Sequence, residues 1–348
     1  MMLRSVASFF GLCVTLGIAV AAFGLVSAVA AQDPAGASGE WVVPRTPDGR
    51  PDLQGNWSSA TLTPLQRPRD QGPVLTWEEV EVREGWAARF FEVVSRPSDP
   101  DREAPRAGGN VGAYNGIYID RGDRVAIVNG EPRSSLITHP ADGRVPDRTP
   151  QGERRRAESE EFRDQFGTYD HPEVRPLAER CLVSFGSNAG PPMLPNSFYN
   201  NNYTIVQTAD HVLIMSELVH DARIIRIGSG PRLPAHIRPW LGDSWGHWEG
   251  DVLVVETTNV HPLQRYSSEN MKVIERFSRV DEETILYQFT IDDPATYIEA
   301  WGGDVPMKAL HDRLYEYACH EGNYALSNIL SGARYQERME AQDQSEPR

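Results

Sequence analysis

Tyr203-Thr204-Ile205-Val206-Gln207-Thr208-Ala209-Asp210-His211-Val212-Leu213-Ile214-Met215-Ser216-Glu217-Leu218 is the stretch on which the fold turns. Two runs rich in β-branched and apolar residues, 203–208 and 211–218, flank Ala209-Asp210, a connection too short for anything but a hairpin. Working outward, the pattern repeats. Further strands are expected at 222–227, at 252–258 after Glu249-Gly250-Asp251, at 272–279, at 284–291 after Val280-Asp281-Glu282-Glu283, at 297–301 and at 314–319. Short turns between successive strands make an antiparallel meander, and no alternating helical pattern supports a parallel sheet. A meander of this length must curl or close, because open edges invite aggregation. The expected fold class is mainly β: an antiparallel up-and-down barrel or strongly curled sheet with peripheral helices.

Before this core lies a helical elaboration. Gly55-Asn56-Trp57 begins a strand, and a Gly-x-Trp near the start of a barrel resembles the lipocalins, in which the indole closes one end. Thr76-Trp77-Glu78-Glu79 fits a capping box and predicts a helix over 77–94, with Trp86, Phe90 and Val94 as its packing stripe. Residues 96–112 read as a loop. Short strands are expected around Arg121-Gly122-Asp123 within 118–128 and at 135–138, and a polar helix over 149–166 with Pro150 at its first position. Its Glu153-Arg154-Arg155-Arg156 run reads as a solvated face. A last helix, 324–339, takes Asn323 as its N-cap.

Residues 1–31 carry one charge, Arg4, then an apolar stretch over 9–26, then Ala28, Ala30 and Ala31. That order is a cleavable secretory signal, with a retained membrane anchor as the alternative. Periplasmic or secreted localisation is therefore expected. Cleavage would remove Arg4 from the 34 basic residues and no acid, leaving 33 against 49 acidic ones and a net charge of −16. Such a surface repels nucleic acid and anionic membranes, so the expected partner is a small organic ligand. Past the signal the layout reads as a flexible leader (32–44), the strand and helical elaboration (45–180), the barrel core (181–330), and a helix end with tail (331–348). Cys181 and Cys319 remain after processing, in a compartment where disulfides persist, and they are expected to pair; two separate buried thiols are the alternative.

Alternation along the strands places Gln207, Glu217, Glu256, Arg276, Gln288, Glu299 and Glu316 among apolar residues. In a closed barrel several would line a lumen; in a sandwich they would be wet. Glu275-Arg276 must split between the two faces.

Four clusters are candidates for chemistry. In Glu217-Leu218-Val219-His220-Asp221-Ala222-Arg223, His220 is a candidate acid or base oriented by Asp221, and Arg223 a candidate holder of a carboxylate-bearing ligand; the alternative is a turn tied by Asp221 and Arg223. Around His247, Trp245 and Trp248 are candidate stacking walls and Asp243 or Glu249 a candidate carboxylate, with two core tryptophans and a hairpin turn as the alternative. In Cys319-His320-Glu321-Gly322-Asn323, His320 would sit at a rigid helix mouth. In Pro195-Asn196-Ser197-Phe198-Tyr199-Asn200-Asn201-Asn202-Tyr203, a polar aromatic lead-in to the first strong strand, the Asn side chains, Asn200 and Asn202 among them, are candidate ligand contacts or simple turn formers. Glu217 and Glu256 complete the candidate ligand set. No Gly-rich phosphate loop, H-E-x-x-H helix or G-x-S-x-G elbow occurs, so no cofactor is implied. His220, His247 and His320 with Glu256 or Asp293 are an open alternative as metal ligands, although their spacing is not diagnostic of a metal site.

The segments Tyr-Asn-Asn-Asn-Tyr (199–203), His-Asp-Ala-Arg-Ile-Ile (220–225), Trp-Glu-Gly-Asp-Val-Leu-Val-Val-Glu-Thr-Thr-Asn (248–259), Asp-Asp-Pro-Ala-Thr (292–296) and Ala-Cys-His-Glu-Gly-Asn-Tyr (318–324) resemble those of a large uncharacterised family of secreted bacterial proteins. That resemblance implies export and carries no activity with it. Three functions fit these observations: a cofactor-independent lyase, hydratase or isomerase using positioned acid and base groups, chiefly His220, His247 and His320 with Asp221 and Glu249; a protein that holds a small ligand unchanged; or, if side chains fill the barrel interior, a purely structural role.

Overall fold

The computed structural model describes residues 41–97, 101, 103, 119–196, 198–219, 221–264, 266 and 268–345. The expected signal and most of the leader lie outside the described residues, as does His220. From the N-terminus the elements are β1 (Gly55–Ser58), α1 (Trp77–Val94), the hairpin β2 (Ile127–Val128) and β3 (Glu131–Pro132), β4 (Ile137–His139) and α2 (Pro150–Asp164). Then follow β5 (Asn202–Gln207), β6 (His211–Ser216), β7 (Ala222–Ile227), β8 (Asp243–Glu249), β9 (Val252–Thr258), β10 (Lys272–Asp281), β11 (Thr284–Asp292), β12 (Trp301–Ala309) and α3 (Tyr324–Ser345).

Among the described residues, β1 and β5 to β12 close into a nine-stranded barrel, with β4 attached to β12. Closure is made by β1, in which Trp57 faces Tyr203 of β5 on one side and Ala309 of β12 on the other. The barrel thus has no free edge among these nine strands. The β5–β6 hairpin runs in the register Tyr203↔Ser216 to Gln207↔Val212. Trp57 is buried, donates its indole N–H to the Leu53 carbonyl at 3.0 Å, and lies under the Arg279 guanidinium at 5.0 Å. The barrel core is therefore not confined to residues 181–330, because its closing strand comes from the N-terminal elaboration.

Two features depart from the expected meander. β7 and β8 run parallel, in the register Ile225↔Ser244, so the barrel is mixed at this one pairing. A parallel pair needs a crossover rather than a tight turn, and residues 228–242 supply it without helix or strand. The last barrel strand is Trp301–Ala309, not 297–301 and 314–319; Tyr297 forms only an isolated bridge to Arg148, and residues 310–319 lie outside any strand. Gly302 and Gly303 are needed in β12 because a Cβ there would stand 2.1 Å from the Phe289 carbonyl oxygen and 2.0 Å from that of Leu136. Pro306 falls between the stretch of β12 that pairs β4 and the stretch that pairs β1, where the loss of an N–H breaks no ladder on that edge.

The expected helix over 77–94 forms with both capping-box bonds: Glu79 N–H donates to Thr76 Oγ1 at 3.2 Å, and Thr76 N–H donates to Glu79 Oε2 at 2.7 Å. Its buried residues are Val80 and Ala87, whereas Trp86 is half exposed and stacks on Phe90 at 5.5 Å, so the expected aromatic packing stripe is not the buried face. Thr149 caps α2 and Asn323 caps α3, its Oδ1 accepting from Leu326 N–H. Cys181 and Cys319 are joined by a disulfide, with Cα atoms 5.8 Å apart. Asn323 reinforces the junction by donating to the Glu179 carbonyl at 2.7 Å. No helix among the described residues is long and apolar enough to cross a membrane.

Candidate functional site

The pleat decides what faces inward. Tyr203, Ile205, Val212, Ile214, Ile225, Leu253, Val255, Val273, Phe277, Tyr287, Phe289, Val305 and Met307 fill the barrel as one hydrophobic cluster. Within the filled interior, Arg223 on β7 and Glu275 on β10 form an ion pair, at 4% and 0% exposure. Their contact is bidentate, with Nη1 to Oε2 at 2.6 Å and Nη2 to Oε1 at 3.0 Å. Tyr287 Oη donates to Glu275 Oε1 at 2.8 Å and accepts from the Met193 N–H at 2.9 Å. Tyr203 Oη donates to the Asn188 carbonyl at 2.7 Å. Burial, and after it the Glu275 carboxylate, pushes the Tyr287 phenol well above 10; burial alone raises that of Tyr203. Burial works against the Arg223 cation, but Glu275 outweighs it and the guanidinium is held charged. The two phenols tie the 184–196 segment to the barrel interior, Tyr287 through Met193 and Tyr203 through Asn188, and Tyr287 links that segment to the ion pair.

The expected polar lumen is not formed by the residues named for it. Gln207, at the end of β5 on the same face as Tyr203 and Ile205, is taken up in holding the N-terminal segment, accepting from Leu53 N–H and donating to the Pro51 carbonyl. Glu256 pairs with Arg232, Gln288 donates to Asp304, and Glu299 and Glu316 are exposed. Glu217 is buried, but at the end of β6, where it accepts from Asn202 Nδ2 at 2.8 Å and from Tyr315 N–H at 3.2 Å.

Nor are His247 and His320 brought together. His247 Nε2 meets Glu249 Oε1 at 3.1 Å, and Glu249 Oε2 meets Arg276 at 3.0 Å, on the exposed outer face at the β8–β9 hairpin end. His320 follows the disulfide beside the opposite end of the barrel, where Tyr315 reaches Glu217. Trp245 and Trp248 point to opposite faces: Trp245 lies 4.2 Å beneath the Arg226 guanidinium under the 228–242 crossover, and Trp248 packs against the core. Arg223 is in the barrel interior, and Asp221 contributes its carbonyl to Ser216 N–H. Asn200 takes a positive φ of 56° and Asn202 holds Glu217, so both serve the chain locally. Among the described residues no three His, Cys, Asp or Glu side chains are placed to share a metal ion.

One recess lies at the loop end of the barrel, a cleft of about 500 Å³ between the segment 61–65, α1, Arg121, the residues 185–187 and 194–198, and Tyr266. Its walls are aromatic. Phe185 meets Phe198 and Tyr199 edge-on at 5.7 and 5.5 Å, Tyr266 meets Trp301 at 5.3 Å, and Trp86 closes the α1 side. Arg121 brings the cation, its Cζ 5.3 Å from the Phe90 ring. Arg121 Nε and Ser187 Oγ are buried atoms with no hydrogen-bond partner among the described residues. Gly122 makes this placement possible: with φ at 75°, its Cα hydrogens face the Thr61 backbone, where a Cβ would stand 2.6 Å from the Thr61 nitrogen.

The Asn-rich lead-in builds the wall rather than the contact surface. Asn196 Oδ1 accepts from Phe198 and Tyr199 N–H, while Asn201 accepts from Asn196 N–H and donates to the Asp120 carbonyl. Sequence reasoning passed over Arg121, Phe185 and Ser187, read Trp86 as helix packing, and reached Phe198 only as part of the aromatic lead-in. The available signal was the aromatic rings of Phe185, Phe198 and Tyr199 in a segment without helix or strand periodicity, which a turn does not need. No family model, no curated protein and no solved structure matches the chain.

Proposed function

We propose that this protein is an extracytoplasmic binder of a small organic anion with an aromatic body, held in the 61–65/185–198 cleft with its anionic group on Arg121. The observation that carries the reading is the unpartnered Arg121 Nε in an aromatic recess. Such a donor is costly to leave unpaired, and a ligand carboxylate would relieve it. The volume lies within the usual range for a small-molecule site. Two observations favour binding over acid–base turnover: His247 and His320 stand at opposite barrel ends, and no His, Asp or Glu is among the described residues of the cleft wall. The Cys181–Cys319 disulfide supports an oxidising compartment and with it the export reading of residues 1–31.

Calorimetric titration with 2-naphthoate and its uncharged counterpart 2-naphthol tests the proposal. Naphthoate is expected to bind one per chain, and Arg121→Met to weaken it about 10-fold or more, the value of one charge-assisted bond, while leaving naphthol unchanged. Equal effects on both ligands, or no saturable binding of naphthoate, would overturn it.

A further inference from the structure

A second recess at the same barrel end is of opposite character. It is a groove of about 520 Å³ between α2 and the loops that carry Leu263 and Tyr297. Gly152, Arg155, Arg156, Ser159 and Arg163 recur at helical spacing and form one face of α2, and Arg148 joins them from just before the helix. The helix is set close against the loop by its first turn: Thr149 donates to the Ala295 carbonyl at 2.7 Å, and a Cβ on Gly152 would meet the Thr296 carbonyl at 2.5 Å.

Four guanidinium groups thus line one groove on a chain whose net charge is −15. Their own carboxylates do not cover them. Glu153 is shared between Arg148 at 3.5 Å and Arg156 at 2.9 Å, and Glu160 takes Arg156 again at 2.8 Å. Arg155 donates to the Thr296 hydroxyl, which in turn meets buried Asp293, and Arg163 donates to the Ser159 carbonyl. Among the described residues no carboxylate lies within ion-pair distance of Arg155 or Arg163. Arg148, the Arg155-Arg156 pair and Arg163 follow one another at intervals of about two helical turns along this groove. Such an arrangement is stabilised by an anion that several arginines grip through paired N–H groups.

We propose that this groove is a binding site for a small organic oligoanion, a molecule carrying two or more carboxylate or phosphate groups. Leu263 and Tyr297 provide walls for its carbon skeleton. The acidic remainder of the surface repels extended polyanions, which points to a compact ligand rather than a nucleic acid strand. Tyr266 walls both recesses, but the inference stands on the arginines and does not depend on what the aromatic cleft holds.

The test is calorimetry on the full chain at constant ionic strength, with pyrophosphate and tricarballylate as separate probes. At least one is expected to bind once per chain, and the one that binds tells whether phosphate or carboxylate is preferred. Arg155→Ala with Arg163→Ala should weaken that binding about 10-fold or more, since two charge-assisted contacts are lost. Arg155→Lys with Arg163→Lys keeps the charge and the fold and should fall between, because lysine cannot grip bidentately. Arg96→Ala, which removes a charge from the Glu92 pair elsewhere, should leave it unchanged. The proposal fails if neither probe saturates, if Arg96→Ala weakens binding as much as the double alanine variant, or if a single-stranded oligonucleotide binds more tightly than both probes.

Discussion

Glu275 and Arg276 are consecutive residues of β10, yet they work in different media. Glu275 faces the barrel interior, wholly buried in a bidentate contact with Arg223 and a hydrogen bond from Tyr287. Arg276 faces outward into an exposed contact with Glu249, itself shared with His247. Both sites consist of opposite charges at hydrogen-bond distance. The difference lies in water: the outer charges are solvated with or without their partners, whereas either inner charge without the other is a bare ion in a hydrocarbon core. Charge pairs that look alike in a contact list are therefore worth very different amounts.

The comparison breaks most visibly if one inner partner is removed. Arg223→Met is expected to cost about 3–5 kcal/mol in urea unfolding, because Glu275 is left buried and uncompensated, while Arg223→Met with Glu275→Leu should recover most of that loss. If the single and double variants were equally unstable, the pair would owe its place to packing rather than charge. A smaller effect comes from the tyrosines around the pair. Burial raises the phenols of Tyr203 and Tyr287 above the ordinary value of 10, so both stay protonated in the folded barrel at a pH where the unfolded chain ionises them. Their contribution is complete below pH 10 and is lost as pH rises beyond it, at up to about 1.4 kcal/mol per pH unit for each. Tyr287→Phe should lessen that alkaline slope by one tyrosine, measured as unfolding midpoints between pH 9 and 11; an unchanged slope would mean that Tyr287 ionises within the fold. The least effect belongs outside. Glu249→Gln should leave the urea midpoint within experimental error at moderate salt, and a shift as large as that of Arg223→Met would erase the distinction between the two faces.

The same strand shows how far the sequence could be read. In Val273-Ile274-Glu275-Arg276-Phe277, Glu275 shares its parity with Val273 and Phe277, and in β7 Arg223 shares its own with Ile225. Alternation showed that Glu275 and Arg276 must part; taking parity with the bulkiest neighbours would also have shown which goes inside. Hairpins joined by short turns, the Thr76 capping box and the pairing of Cys181 with Cys319 were legible, since each rests on local rules or on the scarcity of alternatives. β12 was not, because Gly302, Gly303 and Pro306 answer to neighbouring backbones rather than to intrinsic strand preference. The parallel β7–β8 step was hidden because residues 228–242 carry no period at all. The aromatic cleft was hidden for a related reason: Trp86, Arg121, Phe185 and Phe198 come from segments far apart in sequence, and only closure of the barrel gives them a common wall. His247 and His320 showed the converse, as chemically suggestive residues that the topology keeps apart.

Closure by β1 also sets an order of events. Trp57 meets Tyr203 and Ala309, partners that emerge from synthesis or from an export channel long after it, so the strand that seals the barrel is the first made and among the last to be satisfied. Until β12 arrives, the nascent sheet displays open edges, and the folding rate is governed by the longest loop that must close. A chain delivered N-terminus first is therefore most vulnerable to misassociation just before its last strand is released, and a holding chaperone would act with greatest effect in that interval.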